Sequence, residues 1–125
     1  MAAALKNLIV WSDIPVRDLD RAIAFYGSVL DRTVTRDAFG GTPFGIIEHT
    51  EGNGACLILH GEKPSEGGML TYFSVDGRIR AALAAVEAGG GTVLEPIHPI
   101  GPHGFRTVIL DTEGNRLALH STTDL

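Results

Sequence analysis

The chain has 125 residues and a mass of 13.3 kDa, the size of one domain, and a chain this long hides about two-thirds of its unfolded surface on folding. Its 44% hydrophobic and 20% charged residues are ordinary for a folded protein and exclude a disordered one. A formal charge of −5 with no cluster of Lys or Arg argues against a nucleic-acid partner. The single cysteine, Cys56, rules out internal disulfides and any Cys-rich zinc module. The opening Met1-Ala-Ala-Ala-Leu-Lys6 is too short for a signal peptide, and no apolar run reaches membrane-spanning length. The expectation is a soluble, cytoplasmic protein with no membrane partner.

In chain order, Asn7–Val16 reads as a strand. Asp18 then opens a helix whose Leu19, Ala22, Ile23, Tyr26 and Leu30 recur on one face. Strands are predicted at about 31–38, 43–50 and 55–61, separated by the turns Phe39-Gly-Gly-Thr-Pro43 and Glu51-Gly-Asn-Gly54. The pattern returns with a strand at Leu70–Val75. A second helix is predicted to begin at Asp76, with Ile79, Ala82, Leu83 and Val86 on one face, and Gly89–Gly91 ends it. Strands follow at about 91–97, 105–111 and 115–121. Asp18, Asp20 and Asp76 read as helix-opening acids, and Gly89–Gly91 is no phosphate loop because it closes a helix.

The halves superpose by arithmetic. Val16 falls on Val75 and Arg21 on Arg80 at an offset of 59, while Leu57-Ile-Leu-His60 falls on Leu117-Ala-Leu-His120 at an offset of 60. The chain is therefore a tandem duplication of a βαβββ unit: 7–61, a linker at 62–68, and 69–121. The predicted fold class is α+β, with two such units forming one cupped mixed sheet whose concave face is a natural pocket.

Ile14-Pro-Val-Arg-Asp-Leu-Asp-Arg-Ala-Ile-Ala-Phe-Tyr26 and Asp111-Thr-Glu-Gly-Asn-Arg-Leu-Ala-Leu-His-Ser121 resemble the vicinal-oxygen-chelate superfamily of glyoxalase I, bleomycin-resistance proteins and extradiol dioxygenases. Trp11-Ser-Asp-Ile-Pro-Val16 and Ile100-Gly-Pro-His-Gly104 resemble a bacterial branch of glyoxalase-related proteins that mostly lack an assigned reaction. The resemblance implies a homodimer with its pockets at or near the subunit interface. It also implies four metal-ligand positions, one on the first and one on the last strand of each half. Carried onto this sequence they hold Trp11, Ile58, Leu70 and Ala118, none of which offers a lone pair to a divalent cation. No cofactor is expected, and glyoxalase I activity is disfavoured.

Because strand side chains alternate, Asp13 and Tyr72 share the face of Trp11 and Leu70, and His60 and His120 share that of Ile58 and Ala118. Such groups serve either as hydrogen-bonding residues at a pocket mouth, as an acid–base set, or as a displaced metal site. His103 reads either as a rim general base, with Phe105 beside it, or as a turn histidine bonded to a local carbonyl. Trp11 is a candidate stacking platform or a cavity filler. Cys56 shares the face of Ile58 and His60 and reads as a small core residue. His98, between prolines, is expected to face solvent. Of His49 and Glu48, only one can line a pocket.

The leading expectation is a metal-independent enzyme or enzyme remnant acting on a small organic molecule, with His103 and His120 as catalytic residues. Trp11, Asp13, Ile58, His60, Leu70, Tyr72, Phe105 and Ala118 are the expected ligand-binding residues. The first alternative is a protein that sequesters a small hydrophobic or aromatic compound. The second is a metal-dependent lyase or dioxygenase using a displaced site at Asp13, His60 and His120.

Overall fold

The computed structural model describes residues 7–50, 53–60, 68–112 and 114–125. The elements are β1 (Ile9–Val16), α1 (Leu19–Leu30), β2 (Val34–Phe39), β3 (Thr42–Ile47) and β4 (Gly54–Leu59), then β5 (Leu70–Ser74), α2 (Ile79–Ala88), β6 (Thr92–Pro99), a single 3-10 turn (Gly101–His103), β7 (Phe105–Leu110) and β8 (Arg116–Ser121). The βαβββ order thus occurs twice, as a mixed α+β fold. All but Gly68 of the expected linker, and Glu51 and Gly52 of the second predicted turn, lie outside the described residues. Among the described residues no helix is long and apolar enough to cross a membrane.

The chain packs as two compact units: Trp11–Leu70, and Thr71–Leu125 with the described part of 1–10. In the second, the Ser74 N–H donates to the Leu8 carbonyl at 2.8 Å. Each unit has the same strand order. In the N-terminal unit β1 lies parallel to β4, which is antiparallel to β3, and β3 to β2. In the C-terminal unit β5 lies parallel to β8, then β7 and β6 follow antiparallel.

One helix per unit covers one sheet face, and the apolar stripes read from periodicity are what it buries. Leu19, Ala22, Ile23 and Tyr26 of α1 pack with Ile14, Ile47, Ala55 and Leu57, while Leu30 stays half exposed at the helix end. Ala82, Leu83 and Val86 of α2 pack with Phe73, Val93, Ile109, Leu117 and Leu119. Asp18 is the N-cap of α1 and accepts from the Arg21 N–H at 3.0 Å, satisfying one of the donors that the first turn leaves unpaired. The β2–β3 hairpin turns on Gly40 and Gly41, whose φ values of 59° and 85° match the twist of the flanking strands.

Asp76 departs from expectation. Helix α2 starts only at Ile79 with Arg78 as N-cap, because Gly77 takes φ 77° and breaks the run. The Asp76 carboxylate instead accepts from the Thr122 N–H at 2.6 Å and the Thr122 hydroxyl at 2.7 Å, fastening the C-terminal segment. The Thr122 N–H, followed by the Thr122 hydroxyl, holds the Asp76 carboxyl below its ordinary range. Because the folded-state value is the lower one, this stabilisation is present in full above the unfolded-state value, near pH 4, and is lost as pH falls through the folded value. Asp76→Asn is expected to lower stability by about 1 kcal/mol at neutral pH, a figure kept small by solvent exposure. Urea unfolding across the acid range checks this, with the variant and wild type converging as pH falls through the folded value.

Candidate functional site

The face of each sheet turned away from its helix carries the polar side chains. In the N-terminal unit this face holds Trp11 and Asp13 from β1 and Cys56 and Ile58 from β4, with Asp13 opposite Cys56 and Trp11 opposite Gly54. The indole N–H of Trp11 donates to Cys56 Sγ at 3.3 Å, and the thiol donates to Asp13 Oδ1 at 3.2 Å. The His49 ring meets the indole edge-on, with centroids 5.4 Å apart. A side chain at position 54 has no room, since a Cβ there would stand 2.9 Å from the indole and 3.0 Å from His49 Nδ1. Trp11 is therefore held rigidly, and the buried Cys56 is a bonded link between Trp11 and Asp13 as well as a core residue. His60 lies exposed beyond β4, with its N–H on the Val16 carbonyl.

In the C-terminal unit the register aligns two rows across the helix-free face. One runs Tyr72, Ala118, Val108, Glu95, and the next Ser74, His120, Arg106, His98. Arg106 is the centre. Its Nη1 donates to the Tyr72 hydroxyl, and its Nε donates to His98 Nε2 at 3.1 Å. Its guanidinium carbon stands 5.8 Å from the Tyr72 ring centroid, and its Nη2 is 3.7 Å from Glu95 Oε1. Tyr72 and Arg106 meet across β8, where the small side chain of Ala118 leaves the space. His98 Nδ1 is 2.7 Å from the Pro96 carbonyl. A carbonyl only accepts and a guanidinium only donates, so His98 presents Nδ1–H to Pro96 and the Nε2 lone pair to Arg106.

Three expectations are corrected here. His98 does not face solvent; it sits in β6, its side chain one-third exposed, because an edge strand with two register shifts tolerates Pro96 and Pro99. Phe105 is not on the face of Arg106. It pairs with Ser121 and alternates with Arg106, which puts it on the helix side with Thr107 and Ile109. His103 and His120 do come together, but through the His103 backbone: the His120 Nε2–H donates to its carbonyl at 2.6 Å. The His103 side chain itself is exposed. Sequence reasoning missed Arg106 and Glu95. The available signal was an arginine within the apolar strand Phe105-Arg-Thr-Val-Ile-Leu110, on the parity of Val108.

Among the described residues no group of three or more His, Cys, Asp or Glu is placed to hold a metal ion. At the four positions where the resemblance implies metal ligands, Trp11, Leu70, Ile58 and Ala118 carry an indole, an isobutyl, a sec-butyl and a methyl group, with Leu70 and Ala118 buried. This donor set does not fit a divalent cation.

The sequence profile of the Glyoxalase/Bleomycin resistance protein/Dioxygenase superfamily matches residues 8–119, and the chain belongs to that superfamily. The fold is similar to methylmalonyl-CoA epimerase from Streptomyces coelicolor solved with 2-nitronate-propionyl-CoA: 15% identity, TM-score 0.73, covering 93% of this chain and 97% of that one. It is also similar to the Mycobacterium tuberculosis epimerase: 17% identity, TM-score 0.70, covering 97% of this chain and 91% of that one. A structure titled NAD-dependent benzaldehyde dehydrogenase from Legionella pneumophila has TM-score 0.63 at 18% identity, covering 89% of this chain and 96% of that one. At these identities the likeness concerns the fold. No curated protein sequence is significantly similar to the chain.

Proposed function

We propose that this protein is a metal-independent member of its superfamily that binds a small aromatic or hydrophobic molecule on the helix-free sheet face, with Arg106 and Tyr72 as its polar anchor. The observation that carries this is the bonded guanidinium and phenol of Arg106 and Tyr72 on the helix-free face, beside Ala118. The superfamily resemblance supports the metal-independent reading, since it implies a metal-ligand position at Ala118, whose methyl group offers no donor. A fixed cation beside apolar surface is what a site needs to orient a mostly apolar ligand by one polar group. The superfamily resemblance supports a homodimer as the working assembly.

An enzyme or enzyme remnant acting on the same molecule is the second reading, and one observation favours it. The Tyr72 hydroxyl accepts from Arg106, and a phenol held by a guanidinium is a group that can serve in proton transfer. The histidines support it less, since His120 and His98 each donate to a backbone carbonyl.

Titration with indole and benzamide in the presence of EDTA, followed by amide chemical shifts, tests the main reading. Saturable shifts at Tyr72, Val108 and Ala118 that EDTA leaves unchanged are expected. Binding abolished by EDTA, or no saturable binding at about 10 mM, overturns it. On the second reading Tyr72→Phe keeps affinity and loses turnover of any substrate found.

A further inference from the structure

We infer that the outer flank of α1 is the surface on which a second copy of this chain docks, with Phe25 beside the two-fold axis. This rests on the homodimer reading above and adds where the two copies meet. The first observation compares the two halves of the chain. At the offset of 59 that brings Arg21 onto Arg80, Phe25 falls on Ala84 and Val29 on Ala88. Both helices cover their sheets with the same inward stripe, so the unit folds without large groups at these two positions. In α1 they are nonetheless a phenyl ring and an isopropyl group, 57% and 61% exposed. Four residues apart in one helix, they lie on the same flank. Apolar groups left this far in water gain free energy when a partner covers them.

The second observation is a hollow beside this knob. A cavity of about 310 Å³ adjoins Phe25, with Val16, Ala22 and Tyr26 in its apolar lining and the exposed Arg21 beside them. Its volume is that of a small ligand pocket, which admits a phenyl ring. Phe25 is also held ready to enter one. The Tyr26 ring meets it at 90° with centroids 5.2 Å apart, so little side-chain freedom is lost on docking.

A knob and a hollow that adjoin on one surface are what two-fold pairing requires, since each copy gives its knob to the other's hollow. Among the described residues the Arg21 guanidinium has no hydrogen bond or ion pair, so it is available to lie over the face of the incoming ring. Charge argues against other occupants. Arg17 and Arg21 are interleaved with Asp18 and Asp20, which leaves this end of α1 without the single sign that recruits an anionic lipid surface or a nucleic acid. Recognition falls to shape, and the shape is self-complementary.

Sedimentation equilibrium of the full chain at about 1–100 µM tests this, with wild type set against Phe25→Asp, Val29→Asp and Ala84→Asp. The wild type is expected to be a dimer. Phe25→Asp should raise the dissociation constant by about thirtyfold or more, because it puts a charge where an aromatic anchor is buried, and Val29→Asp should raise it about tenfold. Ala84→Asp, the same change at the matching position of α2, should leave it unaltered. Circular dichroism checks that each variant folds, and if Phe25→Asp does not, Val29→Asp decides in its place. A wild type that stays monomeric at about 100 µM overturns both this inference and the homodimer reading. A dimer that Phe25→Asp leaves intact, or that Ala84→Asp weakens as much, overturns this inference alone and leaves the homodimer standing on another surface.

Discussion

Gly104→Ala is expected to destabilise the protein by about 3 kcal/mol or more, enough to remove a large part of the stability of a domain this size. Gly104 joins the 3-10 turn to β7 at φ 93° and ψ −136°, a backbone region closed to side chains. An added Cβ would also fall well inside contact distance of the Ser121 carbonyl oxygen and 3.0 Å from Thr122 Cα. Neither is the end of a flexible side chain, so relief requires moving β8 or the turn. The same glycine accepts the Ile100 N–H at 2.8 Å and places the His103 carbonyl that holds His120. Thermal unfolding of the variant measures the cost. The His120 ring signals should shift with it, whereas a change in stability of less than about 1 kcal/mol would show that this backbone is not strained by a side chain.

Leu57→Ala is expected to cost about 2–5 kcal/mol, the range for removing a fully buried leucine and leaving a cavity. Leu57 is 0% exposed and packs at the centre of the N-terminal core with Leu19 and Ile47, while Leu59, two residues on in the same strand, is 36% exposed. Leu59→Ala should therefore cost about 1 kcal/mol, in proportion to the smaller area it removes from solvent. Urea denaturation compares the two, and equal midpoints would contradict the packing described. The contrast matters for function because Cys56 and Ile58, the strand neighbours of Leu57 on either side, lie on the opposite face. Loss of Leu57 loosens the strand that carries the thiol bonded to Trp11 and Asp13.

What the sequence disclosed follows the range over which its signals act. The helical stripes Leu19–Tyr26 and Ile79–Val86 are local patterns of period 3.6, and both pack as that pattern requires. The duplication is legible because two copies of one pattern sit about 60 residues apart. The side chains at Trp11, Ile58, Leu70 and Ala118 are read directly as well, while their standing as metal positions is what the resemblance implies. The Arg106 centre is different in kind. Tyr72, Glu95, His98 and Arg106 come from three strands, and their meeting depends on a register with two shifts that no local pattern announces. Pro96 and Pro99 made His98 look solvent-facing and the strand look shorter than Thr92–Pro99, because proline removes a ladder donor; an edge strand has donors to spare. Asp76 looked like a cap because it precedes an apolar stripe, yet the left-handed Gly77 sends its carboxylate to Thr122 instead. Phe105 was misplaced by its nearness to His103 in the chain, which says nothing about strand parity.

The bond between Trp11 and Cys56 joins the protein's one indole to its one thiol. A sulfur at 3.3 Å and the His49 ring 5.4 Å away both border the indole, so its emission reports on this one cluster. Because Cys56 is 5% exposed, an alkylating reagent reaches it only through local opening, and the rate of its modification reports how often this part of the N-terminal unit opens.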